Sequence, residues 1–373
     1  MSSRKDIQTK NKMNNLQVLG KFLDQPILVS KFQKAVPALL MTGGAIYTAV
    51  DAAKTPKERR KNQALKTGIT MGVTIGSALA APHIASAIAK RPLPDNLIKV
   101  KAKNKELVDS FVKTTNLDKT TKNLLEKSKE KILKFGEIKT IFENIKEKKN
   151  GKEFLEKLVP SPQNISAKDI FSEIGYLSVY GAVPVVGGIA GGIAADKVTD
   201  KKNWKSKIPN KIKEGSYQYL ANIFMCNVGA GAALGLLEKA GIQSKGARAL
   251  GMTAGIITTG ILGGSKIANF IGDKVIDPIC SRKRKKIEKK LEKEVYEDIF
   301  SVDFPNNLKN KIKFSSRNQT EKKKERTPEV LDIGLHTDDI ATVSLLSGLK
   351  WIEPALPIMY TISGYRAGIG YRN

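Results

Sequence analysis

Ile174 to Ala195 reads IGYLSVYGAVPVVGGIAGGIAA, an uncharged run through which glycine recurs. Its length is close to the roughly 20 apolar residues that cross a bilayer. No alternation of β-branched and polar residues marks it as a strand. Four further uncharged runs share its Gly/Ala-rich composition: Ala35 to Val50, Thr67 to Ala89, Ser216 to Leu237 and Ala249 to Ser265. A sixth, Ile340 to Tyr365, is interrupted only by Lys350 and Glu353. Lysine fences these blocks. The pattern predicts an all-α protein: a Gly-rich bundle of about six apolar helices, embedded in a membrane, with basic amphipathic helices outside it.

Glycine spacing sharpens this expectation. Gly68, Gly72 and Gly76 recur every fourth residue, and Gly187/Gly191 and Gly188/Gly192 repeat the interval. So do Gly231/Gly235, Gly251/Gly255, Gly260/Gly264 and Gly364/Gly368. Each interior glycine costs a water-exposed helix about 1 kcal/mol relative to alanine. In a bilayer the same spacing forms a bare stripe on which backbones approach closely. These helices are therefore expected to need neighbours, within one chain or in a homo-oligomer.

Two features resist six complete crossings. The blocks are only mildly apolar, and the linkers 51–66 and 196–215 are basic, as is the N-terminal tail. If every block spans, positive charge faces both sides, against the usual cytoplasmic bias. Re-entrant hairpins or a soluble bundle would remove the conflict.

The chain carries 64 Lys and Arg against 36 Asp and Glu, a net charge of +28. Its mean hydropathy, −0.26, conceals the division into apolar blocks and charged connections. The excess favours the lipid bilayer and its anionic head groups as partners. Arg282, Lys283, Arg284, Lys285 and Lys286 directly follow an apolar block and are the expected anionic-lipid contact, with a solvated helix face as the plainer account. Nucleic acid is disfavoured, because no aromatic platform or zinc-finger spacing accompanies the charge. Cys226 and Cys280 form no disulfide or metal pattern. Lys21, Asp24 and Pro26 break Leu16 to Val29, so no cleavable signal peptide is expected. The predicted location is a membrane, the cytoplasmic one of a prokaryote, entered through internal segments.

The composition divides the chain into six stretches. Residues 1–34 form a basic tail with a weak amphipathic helix, 35–90 an apolar hairpin, and 91–170 a charged soluble segment with helices over 106–114 and 118–148. Residues 171–275 hold three apolar helices, 276–326 a basic helix and disordered linker, and 327–373 a last apolar segment. Ala35-Val36-Pro37 and Ala182-Val183-Pro184 each lead through a Gly pair to an aspartate, Asp51 and Asp196, a weak internal repeat.

Five polar residues stand out inside the blocks. Lys350 and Glu353, three apart, would lie near the centre of a span, where ionisable groups are costly and usually functional. Pro354 and Pro357 favour a helix break there instead. His83 is either a buried titratable switch or a structural histidine at a proline kink. Asn222 and Asn227 are expected to bond between helices. Asp332, His336, Asp338 and Asp339 have metal-ligand chemistry, but helix capping accounts for them better. No phosphate loop, dinucleotide fingerprint, GxSxG or HExxH motif is present, so neither catalysis nor a cofactor is expected. The resulting expectation is a polytopic membrane protein with a structural or membrane-organising role. A transporter or pore using Lys350, Glu353 and His83 is the first rival. A soluble or peripheral basic protein binding anionic lipid or nucleic acid is the second.

Overall fold

The computed structural model describes residues 15–90, 97–158, 167–242, 245–279 and 352–370. Among them every regular element is helical and no strand occurs. Helix α1 (Asn15–Leu23) leads into α2 (Pro26–Ala53), which Pro26 opens where its missing N–H costs nothing. A short 3₁₀ turn joins α2 to α3 (Arg60–Ile88). Arg60 folds back at this turn, donating from Nε to the Thr55 carbonyl at 3.0 Å and from Nη2 to that of Ala53 at 3.2 Å. Carbonyls at the end of α2 thereby gain partners that the helix itself cannot provide.

A charged module follows: α4 (Leu97–Thr114), α5 (Lys119–Ser128), α6 (Phe135–Ile145) and α7 (Gly151–Leu158). Ile138, Ile141 and Ile145 recur at helical spacing and form its core. They are buried with Leu125, Val108 and Phe154, and Phe111 stacks on Phe154 at 3.8 Å. The helix expected over 118–148 is two helices, because a distant partner satisfies the backbone at the break. Gln25, just before α2, donates to the Leu133 carbonyl at 3.0 Å and accepts from the Leu133 N–H at 2.7 Å. That pair of bonds fastens the module to the start of α2.

The remaining helices are α8 (Ala167–Thr199), α9 (Trp204–Tyr219), α10 (Met225–Lys239), α11 (Lys245–Ile256), α12 (Ser265–Ile271) and α13 (Leu356–Ile369). A π-helical turn at Leu220–Phe224 joins α9 to α10, and another at Ile257–Gly264 joins α11 to α12. Four helical stretches are long and apolar enough to cross a membrane: Pro26–Ala53, Lys57–Ile88, Phe171–Thr199 and Trp204–Lys239. The other two expected blocks are not among these four. Ala249 to Ser265 lies within continuous helical turns over 245–279 that include a π-helical turn, and the last block is described only from residue 352. Pro37, Pro82, Pro184 and Pro209 all lie inside helices.

Helix α8 sits between α3 and α13, and adjacent glycines point to different neighbours. A Cβ at Gly187 or Gly191 would meet α3, at Ser77 Oγ (2.0 Å) and Val73 Cβ (2.9 Å). At Gly188 or Gly192 it would meet the α13 carbonyls of Gly364 (1.7 Å) and Gly368 (2.0 Å). No side chain fits in either seam. On α3 the expected stripe is different: a Cβ at Gly72 or Gly76 meets nothing within 4 Å, and at Gly68 only Thr48, at 3.8 Å. Thr70, Val73 and Ser77 make the close approach to α8 instead, because α3 turns a neighbouring stripe towards it.

Candidate functional site

Five elements bring ionisable groups together at one end of the bundle. Asp196 lies in the last turn of α8, where its charge opposes the negative end of the helix dipole. It is fully buried, so it depends on cations from other helices. Lys66 of α3 approaches Oδ1 to 3.0 Å, and Lys211 of α9 approaches Oδ2 to 3.0 Å. Lys207, one turn before Lys211, lies 4.0 Å from Oδ1 and pairs with Asp200 at 2.7 Å.

Lys211 has a second role. It is 1% exposed, and its ammonium also donates to the carbonyl of Gly368 and, at 3.4 Å, to that of Ile369. These are carbonyls at the end of α13, another negative helix terminus. One ammonium thus joins α8, α9 and α13, while Lys66 adds α3. Asp51, the aspartate matched to Asp196 in the internal repeat, closes the α2–α3 hairpin. It accepts from Gln63 Nε2 at 2.7 Å and from Thr67 Oγ1 at 2.5 Å.

A polar ladder runs from this cluster into the apolar part of the bundle. Glu214, Gln218 and Asn222 are four residues apart on one face, and all are buried. Gln218 Nε2 donates to Glu214 Oε1 at 2.8 Å, and Asn222 Nδ2 donates to Gln218 Oε1 at 3.0 Å. Arg366 of α13 brings Nε within 3.9 Å of Glu214. Asn222 thus donates within its own helix. The ladder ends inside the π-helical turn, a distortion that often accompanies function.

The residues singled out from sequence are not the ones gathered here. His83 is exposed on α3 and is no buried switch. Glu353 is half-buried and opens a 3₁₀ turn, Glu353–Ala355, which Pro354 enforces before α13 begins. Lys350 and the run Arg282–Lys286 lie outside the described residues, as do Asp332, His336, Asp338 and Asp339. The aspartate of the internal repeat was the one visible signal for the cluster. Among the described residues no group of three or more His, Cys, Asp or Glu is placed to hold a metal. The cluster's chemistry is that of a carboxylate shared by ammonium groups: it can fix helices or hold a proton or ion.

No family model, curated protein or solved structure matches this chain.

Proposed function

We propose that this chain is an integral membrane protein with a structural, membrane-organising and non-catalytic role. One observation carries the proposal: the bundle exposes large apolar side chains along its long helices while ionisable groups are buried among them. Met41, Ile88, Val186 and Leu236, one on each of the four long apolar helices, are 62–70% exposed. Asp196, Lys211, Glu214 and Gln218 are no more than 2% exposed. Only 17% of the apolar window of α2 is buried, and 50% in the two most buried stretches. In water this would leave large apolar faces uncovered, whereas acyl chains cover them. Internal prolines fit the same reading, since packed spans tolerate them. The buried ion cluster then serves as a lock that fixes two hairpins and the C-terminal helix.

Alkaline carbonate extraction tests this directly. The chain is expected to stay in the membrane pellet, and its release would remove the reading in favour of a peripheral basic protein.

A transporter is the second reading, favoured by ionisable groups lining the interior of a candidate span. Its residues would be Asp196, Lys211 and Glu214. Reconstituted protein should then carry protons or alkali cations into liposomes, and Asp196→Asn should stop them. The structural reading expects no flux from either form.

A further inference from the structure

We infer that the end of the bundle formed by the α2–α3 and α8–α9 loops binds anionic phospholipid head groups, an inference that rests on the membrane reading above. The two basic linkers are far apart in sequence but adjacent in space, because Lys66 and Asp196 meet at 3.0 Å. Their charge is thus on one side of the bundle. Some of it is already committed: Arg60 caps α2, and Lys207 is held by Asp200. Lys57, Arg59, Lys61, Lys201, Lys202 and Lys205 remain exposed, with Glu58 an exposed acid among them. Exposed basic residues this close to apolar helix ends are drawn to an anionic leaflet.

Trp204 supplies the depth. It is half-buried, opens the helix Trp204–Lys239 on its charged side, before the uncharged run from Ser216, and has the ammonium groups of Lys197 and Lys205 over its ring at 5.9 and 5.6 Å. Tryptophan at the end of an apolar helix sits at head-group level. Flanking lysines reach outwards from there to the phosphates. Charge and aromatic ring therefore mark the same plane. A nucleic acid could use the charges, but a single ring at the edge of a span is no stacking platform.

The test uses the full chain carrying Trp351→Phe, which leaves Trp204 as its one tryptophan. It is reconstituted in phosphatidylcholine vesicles containing a minor fraction of brominated phosphatidylglycerol or brominated phosphatidylcholine. The glycerol lipid should quench Trp204 more strongly, reporting a local enrichment of about fivefold or more, what a single basic residue near the surface contributes. The preference should weaken with added salt. Changing these six residues to Gln should remove most of it, with the exposed Lys54 and Lys197 left in place, while Lys66, Asp196 and Lys211 keep the bundle locked. Equal quenching by both lipids, or a preference undiminished by the six changes, overturns the inference. So does inorganic phosphate that erases the preference more effectively than chloride at equal ionic strength. Binding of a short DNA duplex that is lost in the six-residue variant, with no lipid preference, assigns the surface to nucleic acid and overturns it as well. Carbonate extraction of the same proteins separates the two readings. Release overturns membrane residence and this inference together, whereas retention with equal quenching overturns this inference alone.

Discussion

The module α4–α7 and the bundle around α8 are built from the same helical grammar but place their charges differently. In the module Ile138, Ile141 and Ile145 are buried, and the carboxylates of its ion pairs keep at least 24% of their side chains exposed. Lys105–Glu130 and Lys157–Glu153 have side chains 44–63% exposed. In the bundle Asp196 pairs with Lys66 and Lys211 at the same 3.0 Å separation seen in Lys105–Glu130, yet the carboxylate is 0% exposed. Identical pair geometry carries different weight in the two places. Water screens the module's pairs to between roughly 0 and 1 kcal/mol. A buried charge stripped of its partner has no water to fall back on. Burial, and not the count of ion pairs, decides which charges hold the molecule together.

The strongest way to break this comparison is to remove the buried carboxylate. Asp196→Asn leaves Lys211 enclosed without its counter-charge and should cost about 3–5 kcal/mol, read as a lowered thermal midpoint in detergent. Glu130→Gln, the matching change in the module, should cost less than about 1 kcal/mol. Combining Asp196→Asn with Lys211→Met should restore part of the loss, since Lys66 is 31% exposed and can turn to water. Equal effects of the two single changes would end the distinction between the regions.

The helical class and the four long apolar stretches were legible, because charge-free runs bounded by lysine are visible without tertiary information. The apolar face of α6 was legible for the same reason: its period is local. The ion cluster was not. Asp196, Lys211 and Glu214 lie just outside the uncharged runs Ile174 to Ala195 and Ser216 to Leu237, so they read as the solvated fence. Their burial follows from α13 and α3 closing over them, which no local pattern encodes. The seams at Gly187 and Gly188 obey a spacing the sequence displays, but Gly72 and Gly76 display it equally. Which stripe of a helix meets a neighbour depends on how the helix is rotated. The break at Leu133 was hidden because its partner, Gln25, is 108 residues away.

The module provides the next test. Ile141 is 2% exposed among Leu125, Ile138 and Ile145, so Ile141→Ala should cost about 3 kcal/mol through lost burial and the cavity left behind. Proteolysis should then cut within 97–158 while the bundle stays protected, if the two regions are stabilised independently. Loss of both together would show that the Gln25–Leu133 joint couples them.

A smaller effect distinguishes seams within the bundle. Gly188→Ala places a methyl 1.7 Å from the Gly364 carbonyl, so α13 must move, at a cost of about 1–3 kcal/mol. Gly76→Ala meets no atom within 4 Å and gains helix propensity, so it should be neutral or stabilising by up to about 1 kcal/mol. Destabilisation by Gly76→Ala would reveal a partner for that face, such as a second copy of the chain.

Acid gives the smallest and most selective effect, because the module's carboxylates are open to water. Glu137 accepts from Lys127 at 2.6 Å and from the Lys134 N–H at 2.7 Å, which hold its pKa below the ordinary 4.5, the Lys127 bond first. Lys157 lowers Glu153 from the same value. Lys129 lowers Asp109 from 3.8, and Thr121 lowers Asp118 likewise. A folded pKa below the unfolded one means the stabilisation is complete above the unfolded value. It is lost as pH falls through the folded value. The module's unfolding midpoint should therefore be flat from about pH 7 to about pH 5 and decline below that. Glu137→Gln should begin lower and decline less, because the Gln side chain does not titrate. A midpoint that rises on acidification, or a decline unaffected by Glu137→Gln, would mean that these exposed pairs do not set the module's acid response, and the contrast with the buried cluster would then rest on Asp196 alone.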